Sequence, residues 1–198
     1  MLVPLLQRAT SKRKRRQKKL KEIIQTNDYE VFYEDECHFK LTLTIIRAWF
    51  LSGIVPQIKS PTDRFKVSIF GAMSRSGQLV IHDSEIFNAQ TFEQFLRKLI
   101  NEAKTEKKIL LVLDNARYHH AKLLKEFLES VKEKLELFFL PAYSPDLNAM
   151  EMLWRKTRRN VTHNRYFENI EELKTKLFKY WEQFCMPNEE LAKLGAFI

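Results

Sequence analysis

KKILLVLDN, residues 107–115, holds five consecutive apolar residues, Ile109 to Leu113, closed by Asp114-Asn115. A run this short and this apolar predicts a central strand covered on both faces, as in a sheet with helices above and below it. LELFFLP (135–141) reads as a second buried strand. Between them, Leu124, Phe127, Leu128 and Val131 fall at helical spacing. Ahead of 107, Phe92, Phe95, Leu96, Leu99, Ile100 and Ala103 recur as one apolar stripe of a helix, with Thr91 and Gln94 at capping-box spacing.

The N-terminal half has a different period. YEVFYED (29–35) mixes aromatic and β-branched residues with acids, and its period of two puts Val31, Tyr33 and Asp35 on one face. TIIRAWF (44–50), FKVSIFGAM (65–73) and LVIHDSEIF (79–87) read as further strands, with Gly53, Pro56, Pro61 and the SRSG stretch (74–77) as turns. C-terminal to 141, the SPDLN turn leads into a helix from about 148 to 162, on which Met150, Trp154, Thr157 and Val161 align. A last helix carries Ile170, Leu173, Leu177, Trp181 and Phe184, capped by Asn169 with Glu172 and stopped by Pro187. Trp49 and Trp154 are assigned to the core. Hairpin strands followed by helix-linked strands predict an α/β fold with a mixed sheet flanked by helices.

The chain has 198 residues, 44% hydrophobic, enough for one core. Net charge is +9, concentrated at one end. Residues 1–25 hold nine Lys/Arg and one acid, Glu22, leaving 25 bases against 24 acids beyond them. The run around Arg13, Lys14, Arg15 and Arg16 is either a solvated helical linker or a contact to nucleic-acid phosphates. The expected division is a basic tail at 1–28, a catalytic unit at 29–185 and an extension at 186–198. Cys37 and Cys185 make no disulfide framework, and no apolar run reaches membrane-span length, so a cytoplasmic protein without membrane partners is expected. Nothing matches a nucleotide-cradling glycine loop. Cys37-His38 lacks a second Cys/His pair at zinc-ligand spacing.

Three acids are candidates for one site. Asp35 and Asp114 end strands, where open α/β sheets collect ligands, and Glu151 starts the helix after the next strand. Two unit charges 4 Å apart repel by about 4 kcal/mol at an effective dielectric near 20. Hard cations remove that cost because they take oxygen ligands. Each acid also has an ordinary structural reading. Asp35 can be a turn former and Asp114-Asn115 a helix cap. Glu151 stands three residues after Asn148 and four before Arg155, so it suits a capping box or a surface ion pair.

FYEDECHFKL (32–41), ILLVLDNARYHHA (109–121) and LPAYSPDLNAMEMLW (140–154), joined by FKVSIFGAMSRSGQL (65–79), resemble the catalytic domain of DDE transposases of the insertion-sequence-630 and mariner superfamily. The resemblance covers most of 29–165. It implies an RNase-H-like fold, a five-stranded mixed sheet flanked by helices. It also implies that Asp35, Asp114 and Glu151 hold Mg²⁺ or Mn²⁺, with two ions expected, roughly 3.5–4 Å apart. The implied chemistry is hydrolysis at transposon ends, then attack of the freed 3′-hydroxyl on target DNA, typically at TA. Thirty-six residues separate Asp114 from Glu151, close to the family's spacing. Ala142 and Ala149 stand where relatives often have proline.

Relatives also carry a helix-turn-helix region that reads the element's ends. About 28 residues precede the first strand here, so that role is expected of a separate protein or an upstream frame. Synapsis of two ends implies a homodimer. Asn115 and His119 of the DNARYHH block are near-site candidates. Arg155, Arg158 and Arg159 give the helix after Glu151 a basic side, with Arg155 and Arg158 on the Glu151 face. Two competing functions are a non-catalytic DNA-binding remnant and a structure-selective nuclease of the same fold.

Overall fold

In a computed structural model, residues 3–49, 51–54, 57–59, 65–141, 148–184 and 187–196 are described. Five strands form one sheet: β1 (Tyr29–Lys40), β2 (Lys66–Ser74), β3 (Leu79–Ser84), β4 (Lys108–Leu113) and β5 (Leu135–Phe139). Their order is β3-β2-β1-β4-β5. β1 pairs antiparallel with β2 and parallel with β4, β2 pairs antiparallel with β3, and β4 pairs parallel with β5. The mixed, helix-flanked sheet expected from the sequence is therefore present. Helices are α1 (Val3–Thr26), α2 (Ala89–Glu102), α3 (Leu124–Ser130), α4 (Met150–Thr157), α5 (Ile170–Glu182) and α6 (Glu189–Gly195). No helix among the described residues is long and apolar enough to cross a membrane.

Side-chain alternation along the strands splits the interior into two cores. Val31, Tyr33, Cys37 and Phe39 of β1, with Leu110 and Val112 of β4, pack with Met150, Trp154, Leu173, Leu177 and Trp181. On the other face, Phe32, Leu111 and Leu113 pack with Phe92, Phe95, Leu96 and Leu99 of α2 and with Leu124 and Phe127 of α3. Burial on both faces is why β4 is apolar from Ile109 to Leu113. Leu20 of α1 and Leu191 of α6, outside 29–185, are fully buried in the first of these cores. Arg16 donates from Nη1 to the Phe139 carbonyl (2.8 Å) and lies over the Phe138 ring, so the C-terminal half of the basic helix docks on the β5 edge. Asn188 caps α6, and its N–H donates to Gly77 O at 2.9 Å. Gly77 sits at φ +90°, and a Cβ there would collide with the Asn188 backbone.

Several expectations from the sequence are corrected. Within 44–49 there is no strand: Thr44 makes a single bridge to His163, and Ile45, Ile46 and Trp49 lie exposed, held in part by Asn164 (Ile46 N–H to Asn164 Oδ1, 2.8 Å). Strand-like composition without a partner strand produces no ladder. Trp49 is fully exposed and not a core residue, whereas Trp154 is buried. β1 instead runs on to Lys40, paired with β2 from Phe32 to Lys40. The cap of α2 is Asn88, with Thr91 as its reciprocal partner, one turn earlier than the Thr91/Gln94 reading. The helix expected over 148–162 is α4 followed by a wider-wound turn at Arg158–Thr162. The SPDLN turn before Asn148, Pro56, Pro61, Ala142 and Cys185 fall outside the described residues.

Candidate active site

β4 pairs with β1 only as far as Tyr33↔Val112. Asp35 and Asp114 each stand two residues beyond that last pair, so they flank the gap where the strands part. Asp35 is thus at the end of the β1–β4 ladder, though within β1, where it faces Gly71 of β2. Glycine is required there. A Cβ on Gly71 would lie 2.5 Å from Trp154 Cη2 and 2.6 Å from Met150 Cε. Without it, α4 can press onto the sheet and deliver the Trp154 indole N–H to Asp35 Oδ2 at 3.1 Å.

The start of α4 is pinned to the same place. Asn148 donates from Nδ2 to the Glu34 carbonyl (2.7 Å) and accepts from the Met150 N–H (3.1 Å). This buried amide ties the first turn of α4 to β1 one residue from Asp35. Glu151 lies in that turn, exposed, and joins no ion pair among the described residues, so the Glu151–Arg155 pair is absent.

The carboxylates differ in electrostatics. Burial, then the charges of Glu36, Glu151 and Asp114, push the Asp35 carboxyl up to about 7. Asp114 and Glu151 thus lie close enough to Asp35 to raise it, although the oxygens of the three acids do not all gather within 4.8 Å of one another. Asp114 is held below the usual carboxylate range, first by His119 and, against partial burial, by the Ala116 N–H that donates to its Oδ1 at 2.8 Å. An all-oxygen set of this charge, in which neither Asp35 nor Glu151 pairs with Lys or Arg among the described residues, suits a hard divalent cation.

His119 is buried in the short turn Arg117–His120 and lies between two acids. Its Nδ1 faces Asp114 Oδ1 at 3.4 Å, and its Nε2 is 3.2 Å from Glu36 Oε1. Burial lowers its basicity, but the contacts with Asp114 and Glu36 raise it above the ordinary histidine value. Asn115 donates from Nδ2 to the Leu140 carbonyl, bridging the ends of β4 and β5. Arg158 is not on the open Glu151 side. Its Nη2 lies 2.8 Å from Cys37 Sγ and its guanidinium over the Phe39 ring, while Arg155 and Arg159 are exposed. The Cys37 thiol is driven up to about 12 by burial.

Gly71, Glu34, Glu36 and the Trp154–Asp35 bond are not singled out by the sequence, and Asn148 is read there only as a helix cap. Three successive acids, Glu34 to Glu36, between the apolar pairs Val31-Phe32 and Cys37/Phe39 of one strand are the available signal. Strand alternation sends Asp35 to one face and the two glutamates to the other.

Known proteins agree with this architecture. The catalytic domain of the Mos1 mariner transposase superposes with a TM-score of 0.65 at 19% identity, over 96% of this chain and 90% of that one. The Mos1 paired-end complex with Mg gives 0.70 at 19% identity, over 96% of this chain and 60% of that one. The "Insertion element IS630 uncharacterized 39 kDa protein" of Shigella sonnei is 26% identical over 156 residues, 78% of this chain. The chain spans 45% of the length of that relative. The y4pE/y4sA protein of Sinorhizobium fredii is 30% identical over 86 residues, 43% of this chain and 60% of its own length. The family model for DDE superfamily endonucleases matches residues 30–174, and the chain belongs to that family.

Proposed function

We propose that the chain is a transposase catalytic domain that cleaves DNA strands at transposon ends and joins them to target DNA. The observation that carries this reading is Asp35: a half-buried carboxyl that accepts from the Trp154 N–H and is raised by burial, then by Glu36, Glu151 and Asp114, in a chain of the DDE family. Asp35, Asp114 and Glu151 would hold Mg²⁺ or Mn²⁺, with two ions as the working number; such ions supply water activation and stabilisation of the leaving oxygen. Solved Mos1 complexes with Mg and with Mn support the choice of metal.

The protein's own contribution is placement. The parting of β1 and β4 opens the notch, Gly71 lets α4 approach, Trp154 orients Asp35, and Asn148 fixes the turn carrying Glu151. His119 holds the Asp114 carboxylate from behind. The exposed side chains Lys14, Arg15, Arg155 and Arg159, with Arg13 and Arg16 on the same basic helix, are assigned to DNA phosphates. Residues 29–185 form the catalytic unit in this reading, with 1–28 and 186–198 as its flanking segments. A second copy is the partner in synapsis, and a helix-turn-helix element reads the ends. Likeness to Mos1 paired-end complexes supports the DNA and synapsis assignments.

The test is incubation of the protein with duplexes bearing the element's ends and a supercoiled target. Mg²⁺-dependent cleavage leaving a 3′-hydroxyl, followed by joined products, is expected. DNA binding without any cleavage in Mg²⁺ or Mn²⁺ would support the remnant reading instead.

A further inference from the structure

Behind the Asp35 face, on the α2 side of the sheet, lies a second group of metal-ligating side chains. One ligand atom each from Glu34, Glu36 and His119 lies within 4.8 Å of the other two. Glu34 is 1% exposed and His119 2%. Both Glu34 carboxylate oxygens, Glu36 Oε1 and His119 Nε2 are buried without a hydrogen-bond partner. His119 Nε2 and Glu36 Oε1 are 3.2 Å apart but out of line for a hydrogen bond. No Lys or Arg among the described residues pairs with either glutamate.

His119 Nδ1 faces Asp114, with its Oδ1 and its main-chain oxygen both at 3.4 Å. With the ring neutral and its proton on Nδ1, the Nε2 lone pair faces the glutamates. Acceptors then face acceptors in a buried space, a pattern that either protons or a bound metal ion neutralises. A carboxylate behind the distal ring nitrogen of a ligating histidine is the usual support for a metal–imidazole bond. Ligand atoms around a four-coordinate zinc stand about 3.4 Å apart, and the Nε2–Oε1 pair already spans that distance.

We propose that Glu34, Glu36 and His119 form a buried site for a borderline divalent ion, Zn²⁺, distinct from the Asp35–Asp114–Glu151 set. Two carboxylates and an imidazole in a dry pocket select Zn²⁺ over Mg²⁺, which keeps its waters and prefers oxygen alone. The ion would tie β1 to the turn after β4 and so brace the Asp114 side of the notch.

The full chain, stripped with chelator, is titrated with Zn²⁺ by calorimetry, and retained metal is measured after desalting. Wild type and the Asp35→Asn/Glu151→Gln double variant should each retain a single equivalent. Glu34→Gln and Glu36→Gln, which keep side-chain shape, should bind it at least about 100-fold more weakly, and excess Mg²⁺ should not displace it. Histidine ¹⁵N spectra of the wild type give a variant-independent reading: one of the five imidazoles should show an Nε2 shift on Zn²⁺ addition. Failure of folded wild type to retain Zn²⁺ overturns the site and leaves a proton as the occupant. Equal retention by Glu34→Gln and Glu36→Gln, or loss in the Asp35/Glu151 double variant alone, overturns it too.

Discussion

The Trp154 indole N–H donates to Asp35 Oδ2 at 3.1 Å, across 119 positions of sequence. One residue of α4 thereby fills the core and orients a carboxylate. Trp154→Phe keeps an aromatic ring but removes the donor. Loss of a hydrogen bond to a charged group costs about 1.5–3 kcal/mol, and loss of a supporting group costs about 10–100-fold in metal affinity. The Mg²⁺ concentration for half-maximal cleavage should rise accordingly, with a lowered thermal midpoint. An unchanged Mg²⁺ requirement would remove Trp154 from the site.

Gly71→Ala places a methyl against Trp154 and Met150. Overpacking of this kind costs about 1–3 kcal/mol. Urea denaturation should show the loss, and cleavage should fall with it because α4 carries Glu151. Alanine at Ala72, the next position, is already accommodated and fully buried, so the restriction belongs to one face of the strand.

The raised Asp35 carboxyl has a definite pH consequence. Between about 4 and about 7, the folded state keeps a proton that the unfolded chain has released, so stability falls as pH rises through that window. The loss is up to about 4 kcal/mol, is complete above pH 7, and is absent at acid pH. Denaturation in chelator should therefore show a less stable protein at pH 8 than at pH 5. Asp35→Asn should reduce the difference, leaving the share of Glu34, whose carboxyl burial also raises, and Mg²⁺ should reduce it by binding the ionised form.

If the basic helix contacts phosphates, DNA affinity will fall steeply with salt. About six contacts give a log–log slope near −5. Replacing Arg13, Lys14 and Arg15 with alanine should reduce its magnitude by about 3. Arg16→Ala should in addition lower stability, because Arg16 also holds α1 to the Phe139 carbonyl. A slope indifferent to the triple replacement would assign the helix to packing alone.

Much of this was legible in the chain. Ile109–Leu113 announced β4 because a strand covered on both faces leaves no polar positions, and the acids at 35, 114 and 151 stood out through the motifs around them. Pairing was less legible. Residues 44–49 have strand composition, but whether a ladder forms depends on a partner that composition does not specify. Trp49 was misplaced for the same reason. Asn88 rather than Thr91 opens α2 because the extended backbone at Asn88 lets its side chain accept from the Thr91 N–H, while Thr91 answers it. The Gly71–Trp154–Asp35 relation and the His119–Glu36 contact join distant segments, and only the folded sheet brings them together.

In the proposed mechanism Asp35, Asp114 and Glu151 form one metal-dependent catalytic site. Strand cleavage of end-bearing DNA in Mg²⁺ and in Mn²⁺, by wild type and by the Asp35→Asn, Asp114→Asn and Glu151→Gln proteins, tests it most directly. The predicted result is metal-dependent cleavage by wild type and its loss in each variant, with folding retained by circular dichroism. Metal-dependent cleavage that survives all three substitutions would contradict it.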